Sequence, residues 1–387
     1  MIYAIAGSFA SVFMLAKDYD NTDIGITFAA ANLFALGLQP FVADHMDRSQ
    51  GIQIISASSR LTLLMMLAGA GLFIFAGGTT LLASALVIIL AIHAVMQPLL
   101  NTLAFRLSES GVGVSFGVGR AGGSLGYSAI LAVLGTIVER KGVDVLPVFT
   151  EAACALLIAL LFVTKKSFVK IQSETASSDA RAEEEADRKE TERIDLVSFI
   201  RRNRYFFILN LGVAGLLFSN AVLSNYMPQI AGNVGGTTGD VGHILSLMAL
   251  LEIPTMVFFD KIRKRFSSRT LIKTAAVGFT LKIAVCWLAG SVRVLLAAQV
   301  FQLAAFALLM PSMVYFINEI MSPGEAVKGQ ALYTMMFTLS TIAASLVGGR
   351  ILDVSGAVTL TFISTLITAA GTAVVVFSIG RVKGPQA

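Results

Sequence analysis

Charge is scarce in this sequence: Asp, Glu, Lys and Arg make up 14% of its 387 residues, against about a quarter in soluble domains. That scarcity excludes an ordinary water-soluble globular fold. Cysteine is nearly absent, and Cys154 and Cys286 both lie inside long apolar runs, so neither a disulfide framework nor a metal site is indicated. There is no HExxH pair, GxSxG elbow, phosphate-binding loop or cluster of metal ligands. The hydrolase, nucleotide-cleaving and metalloenzyme chemistries that depend on them are therefore excluded, and neither an enzyme nor a cofactor is expected. No cleavable secretion signal is visible.

What is abundant is apolar length, with 56% hydrophobic residues. Twelve runs can cross a hydrocarbon layer of roughly 30 Å, and helices are the economical way for them to satisfy their backbone groups in lipid. They start near residues 1, 23, 54, 80, 113, 145, 204, 240, 270, 291, 326 and 356. The expected fold is an all-α integral membrane protein of twelve transmembrane helices in two pseudo-symmetric six-helix bundles. Span 1 offers 16 residues before Lys17, or about 24 Å of helix. The sequence thus predicts a truncated first helix and a native start about 20 residues upstream.

The loops sort by charge. Those after spans 2, 4, 6, 8 and 10, with the C-terminal tail, hold Arg48, Arg106, the basic series from Lys165 to Arg204, Lys261 to Lys273, Lys328, Arg381 and Lys383. The other face keeps Lys17, Arg140, Lys141, Arg293 and Arg350. The positive-inside rule then places both termini in the cytoplasm, in a cell membrane. The net charge of +5 is loop asymmetry, and no nucleic acid partner follows from it. The segment from Gln172 to Asp195 is highly charged with few large apolar residues and cannot form a core. It divides the chain into a bundle over 1–165, a cytoplasmic linker over 166–199 and a second bundle over 200–387. A monomer in contact with membrane lipid is expected.

Polar residues inside the spans mark candidate sites. Arg120 lies in the apolar stretch from Gly117 to Val138, where lipid exposure would cost at least about 3 kcal/mol, so it should face an interior or a water-filled cavity. Ser124 and Tyr127 follow on the same face. His93, Gln97 and Asn101 recur at every fourth residue of span 4, forming a stripe that faces either a cavity or a partner helix. Glu252 lies mid-span in span 8 and Lys282 at comparable depth in span 9, while Gln299 and Gln302 share a face of span 10. Weak internal matches relate the halves. Asp240, Val241 and Gly242 echo Asp23, Ile24 and Gly25, and Gly329, Gln330 and Ala331 echo Gly119, Arg120 and Ala121. Such parallel repeats put a ligand site near mid-membrane between the halves.

The run from Ile24 to Arg48, with Asp47 and Arg48 matching a G-x-x-x-D-R/K loop in which Ala43 replaces the glycine, resembles the lactose-permease-like branch of the major facilitator superfamily. GRAGGSLGY around Arg120 resembles that branch's fifth helix. The segment from Ala297 to Met335 is closer in appearance to its 3-phenylpropionate-transporter-like members. The resemblance implies that Asp47 and Arg48 form a structural latch loop and that Arg120 contacts substrate, with Asn101 where the branch often has a carboxylate. Glu252 and Lys282 match its glutamate and basic residue, whereas Gln302 replaces a histidine and Ala305 stands at the next acidic position.

The expected function is secondary transport of a small organic solute, such as an aromatic or other organic acid, by alternating access as proton symport. Arg120 would bind the polar end of the solute with Tyr127, His93, Gln97, Asn101, Gln299 and Gln302, since a guanidinium recognises a carboxylate in planar, bidentate fashion. Glu252 would carry the proton with Lys282 as a switchable partner, because separating carboxylate from ammonium changes proton affinity. The competing readings are protonation at Glu151 or His93, a static Glu252 to Lys282 pair in a passive facilitator, a sugar or nucleoside transporter, and a non-transporting receptor or scaffold.

Overall fold

The computed structural model describes residues 1–47, 51–109, 116–175 and 196–382, and the side chains of 43–47, 105–121, 167–198 and 323–324, with those of Pro40 and Gly51, lie outside the described ones. Within these limits the chain is helical throughout. A π-helical turn, Tyr3–Gly7, leads into α1 (Ala10–Leu15), and then follow α2 (Asn21–Asp47), α3 (Gly51–Ile74), α4 (Thr80–Glu109), α5 (Phe116–Lys141) and α6 (Val145–Thr175). The second half of the chain contains a short α7 (Leu196–Arg202), α8 (Arg204–Gly232), α9 (Thr238–Arg263) and α10 (Ser268–Trp287). Next come α11 (Val292–Ala298), a 3-10 turn Gln299–Leu303, α12 (Phe306–Ile320) and α13 (Pro323–Ile379). Among the described residues nine helices are long and apolar enough to cross a membrane. The last is two helices joined at Gly356, whose φ of 76° and ψ of −179° lie in a region only glycine enters at low cost.

Helix starts follow local chemistry. Thr237 and Asp240 close a capping box at the start of α9, Ser267 accepts from the Thr270 amide at α10, and Pro323 opens α13 at a position where no donor is lost. Breaks follow it too. Tyr226 leaves the helical region two residues before Pro228 and bends α8, since proline removes a donor and crowds the preceding turn. Hydroxyls within the helices donate to carbonyls one turn back, as in Thr62 to Ser58, Ser364 to Leu360 and Thr368 to Ser364, so they enter an apolar environment already satisfied.

Helices α3, α4 and α6 pack together in the first half, and α10, α12, α13 and α8 in the second. Small residues set the closest approaches. A Cβ on Gly212 would meet the Gly371 carbonyl at 2.8 Å, the small-residue contact that brings membrane helices together. The halves meet where α5 lies along α9 and α2 along α13, and Phe9, Leu131, Val222 and Ile244 share one buried cluster there.

These crossings concentrate at one end of the bundle, the joined end. There Ser128 and Ser246 hydroxyls are 2.8 Å apart, and Gln229 donates to Asn21 Oδ1 at 2.9 Å. Ser11 of α1 donates to the Asn225 carbonyl across the halves, while within the second half Asn225 donates to Ser345 Oγ at 3.0 Å and Tyr226 donates to the Ser345 carbonyl. A Cβ on Gly135 would lie 2.9 Å from Gly242 Cα, which leaves no room for a side chain at either position. Arg48 and most of the linker lie outside the described residues, as does the Asp47 side chain.

Candidate functional site

Two polar clusters sit away from the helix ends. The first is built by α9, α10 and the interrupted segment after α11. Span 10 is not one continuous helix. It tightens to 3-10 geometry over Gln299–Leu303 and departs from helical geometry at Ala305, with φ −90° and ψ −104°. The interruption frees the Leu303 carbonyl, which accepts from Thr255 Oγ1 at 2.9 Å, one residue after Pro254 inside α9. It also turns Gln302 between two charged groups. Lys282 Nζ donates to Gln302 Oε1 at 2.6 Å, and Gln302 Nε2 donates to Glu252 Oε1 at 2.7 Å. Lys282 is 1% exposed and Gln302 fully buried.

The amide thus offers its acceptor to the ammonium and its donor to the carboxylate, the arrangement that satisfies both charges. Gln299, also buried, donates to the Leu295 carbonyl at 2.8 Å, while its Oε1 is buried without a hydrogen-bond partner among the described residues. That oxygen is an acceptor available to a ligand donor or a water.

The second cluster is aromatic and belongs to the first half. The Tyr3 ring stacks on His93 with centroids 5.0 Å apart and an interplanar angle of 25°. It lies 6.3 Å from the Tyr127 ring. The Tyr127 and Ser8 hydroxyls are 2.7 Å apart. Two features of the first span allow this: the π-helical turn shifts the register between Tyr3 and Ser8, and a side chain on Gly7 would run into the Tyr3 ring. Single π-turns often occur at functional sites. Tyr127 is next to Ser128, whose hydroxyl meets that of Ser246 on α9 at 2.8 Å, and α9 also carries Glu252, so both clusters border the α5 to α9 crossing.

The structure therefore brings together Glu252, Lys282 and Gln302, and separately His93 and Tyr127. Gln97 and Asn101, one and two turns along α4 from His93, are exposed and have no side-chain hydrogen-bond partner among the described residues. Arg120 is the fifth residue of α5, and its side chain is outside the described ones. Glu151 in α6 stands apart from both clusters, with Oε1 buried, unpartnered among the described residues and directed at Gly69 of α3. Tyr3 and Ser8 had not been expected at the site, although Tyr3, Gly7 and Ser11 share four-residue spacing along span 1. A cavity of about 520 Å³ lined by Asn318, Met321, Ala326, Val327 and Gln330 opens between α12 and α13 toward the other end and touches neither cluster. Among the described residues no group of His, Cys, Asp and Glu is arranged to hold a metal ion.

Comparison with known proteins gives a consistent picture. The family model described as MFS_1 like family matches residues 1–363. A stretch of 121 residues is 29% identical to a putative sugar efflux transporter of Deinococcus radiodurans, spanning 31% of this chain and 31% of the length of that relative. A crystal structure of the nucleoside transporter NupG superposes with a TM-score of 0.71 at 15% identity, over 98% of this chain and 96% of that one. A bacterial homologue of the iron transporter ferroportin, in an inward-facing state, gives 0.63 at 16% identity over 98% and 95%. A bacterial homologue of the human lysosomal transporter Spinster, inward-facing and unoccupied, gives 0.63 at 13% over 98% and 95%. At such identities the likeness establishes the fold: this chain has the all-α architecture of the major facilitator transporters.

Proposed function

The chain belongs to the MFS_1 like family, a family of membrane transporters and not of enzymes, and from that premise we propose that it moves a small ring-bearing organic solute across the cell membrane by proton symport. The observation that carries the reading is the relay from buried Lys282 through buried Gln302 to half-buried Glu252, beside an interrupted helix. Ionisable residues inside a membrane are costly, and they mark pathways for ions and substrates. In this reading Glu252 carries the proton, and the amide of Gln302 couples its charge to that of Lys282. Two bundles, 1–165 and 200–387, rock about a site between them. Both termini are cytoplasmic, so the joined end faces outward and the structure represents an inward-facing state of a monomer in lipid.

The aromatic stack of Tyr3, His93 and Tyr127 supports a flat ring as part of the solute. Arg120 supplies a guanidinium at the start of α5 for a carboxylate, with Gln97, Asn101 and Gln299 as further polar groups. We favour an aromatic acid. A nucleoside or sugar is the second reading, favoured by the free acceptor of Gln299 and by the names of the relatives. Thermal stabilisation of the purified protein by phenylpropionate, uridine and glucose, compared with Arg120→Lys, separates them. Stabilisation by the acid that is lost in the lysine variant is expected. Stabilisation by uridine or glucose alone, unchanged in Arg120→Lys, refutes the acid assignment.

A further inference from the structure

The joined end contains two carboxylates that act across the halves in the same manner. Asp353, near the end of the first helical part of α13, accepts at Oδ1 from the Asn21 amide (3.0 Å) and Asn21 Nδ2 (2.8 Å), and at Oδ2 from the Thr22 amide (2.7 Å) and Thr22 Oγ1 (2.5 Å). Those donors form the first turn of α2. Glu139, in the last turn of α5, accepts at Oε2 from the Gly239 amide and from Thr237 Oγ1, both at 2.9 Å. Those belong to the start of α9. In each case an anion from one half closes the orphan amides of a helix in the other half, where the helix dipole places about half a positive charge.

Neither helix needs the foreign carboxylate in order to form. Asp20 Oδ1 already accepts from the Asp23 amide at α2, at 2.7 Å, and α9 has its own capping box from Thr237 and Asp240. The two sites are also repeat-related, because the capped helices begin with the matching triplets Asp23, Ile24, Gly25 and Asp240, Val241, Gly242. Behind each cap a glycine lets the backbones touch: a Cβ on Gly25 would strike the Ser345 carbonyl, and one on Gly242 would lie 2.5 Å from the Leu131 carbonyl. The carboxylates are therefore surplus to local folding and present only between halves.

We propose that Glu139 and Asp353 are paired latches that hold the joined end shut, and that both are released once per transport cycle. The proposal builds on the transporter reading. Both carboxylates are exposed, so on separation water replaces the lost donors and each latch can reopen. Removing the charge from one latch should change the ratio of joined to separated molecules by roughly ten-fold. Because the two share no partner, the double variant should change it by about a hundred-fold.

The test uses nitroxide labels at Lys141→Cys and Arg293→Cys, both exposed at the joined end, with the buried Cys154 and Cys286 replaced by alanine. Distance distributions are recorded by pulsed electron spin resonance in lipid nanodiscs. Glu139→Gln and Asp353→Asn should each shift the population toward the longer distance, and the double variant further. Asp144→Asn is the control, since Asp144 pairs at 2.7 Å with Lys17 within the first half, and should leave the distribution unchanged. A double variant that remains monodisperse with an unshifted distribution overturns the latches, whatever the flux. A shifted distribution in a protein that moves no solute sustains the latches and refutes the transport reading.

Discussion

Replacing Gln302 by leucine tests the relay most severely, because the substitution preserves approximate volume while deleting the amide between two charges. Wild type gives Lys282 Nζ an acceptor at 2.6 Å and Glu252 Oε1 a donor at 2.7 Å, within a region where Lys282 is 1% exposed. A hydrogen bond to a charged group contributes about 1.5–3 kcal/mol, so losing two costs about 3–6 kcal/mol. The added apolar burial of leucine returns about 1 kcal/mol, leaving a net loss of about 2–5 kcal/mol. Adding Lys282→Met should reverse part of that loss, since replacing both partners by apolar groups removes the stranded charge that the single variant leaves behind. The assay is reversible unfolding in mixed detergent, followed by fluorescence of Trp287, the sole tryptophan, five residues from Lys282 and packed at 5.0 Å on Phe362. A double variant more stable than Gln302→Leu alone, with a coupling energy of at least about 1 kcal/mol, is expected. Strict additivity of the two single losses would refute the relay.

Two further outcomes follow from local geometry. Gly356→Ala forces a side chain onto a backbone with φ 76° and ψ −179° and should destabilise by about 1–3 kcal/mol; an unchanged unfolding midpoint would show that the junction in α13 is not held there. Tyr3→Ala removes the ring stacked 5.0 Å from His93 and 6.3 Å from Tyr127 and should weaken binding of an aromatic solute by about three- to ten-fold, while Tyr3→Phe retains it. Equal affinities for both variants in calorimetry would remove the aromatic cluster from the site.

The architecture was legible in the sequence because a hydrocarbon layer permits little besides helices of fixed length. Runs expected to start near residues 80, 145, 204 and 291 coincide with helices starting at Thr80, Val145, Arg204 and Val292. The twelfth, expected near 356, begins at the Gly356 junction. The polar residues were legible singly, as Glu252, Lys282 and Gln302 each interrupt an apolar run. Their order in space was not, because Gln302 reaches its bridging position through a 3-10 interruption at which neither glycine nor proline stands, Pro311 lying beyond it inside α12. Tyr3 was missed for a similar reason. Its approach to His93 depends on the π-turn of the first span, and that register shift leaves no compositional trace. The latches of Glu139 and Asp353 depend on which helix ends meet, which is a tertiary property.

Uptake of labelled solute into proteoliposomes with and without an imposed inward proton gradient tests the central claim most directly. Wild type should accumulate solute above its equilibrium level only with the gradient. Glu252→Gln, whose side chain keeps an acceptor for Gln302 Nε2 but cannot release a proton, should lose that accumulation while solute exchange across the bilayer persists. Gradient-driven accumulation that survives unchanged in Glu252→Gln would contradict the assignment of Glu252 as the proton carrier.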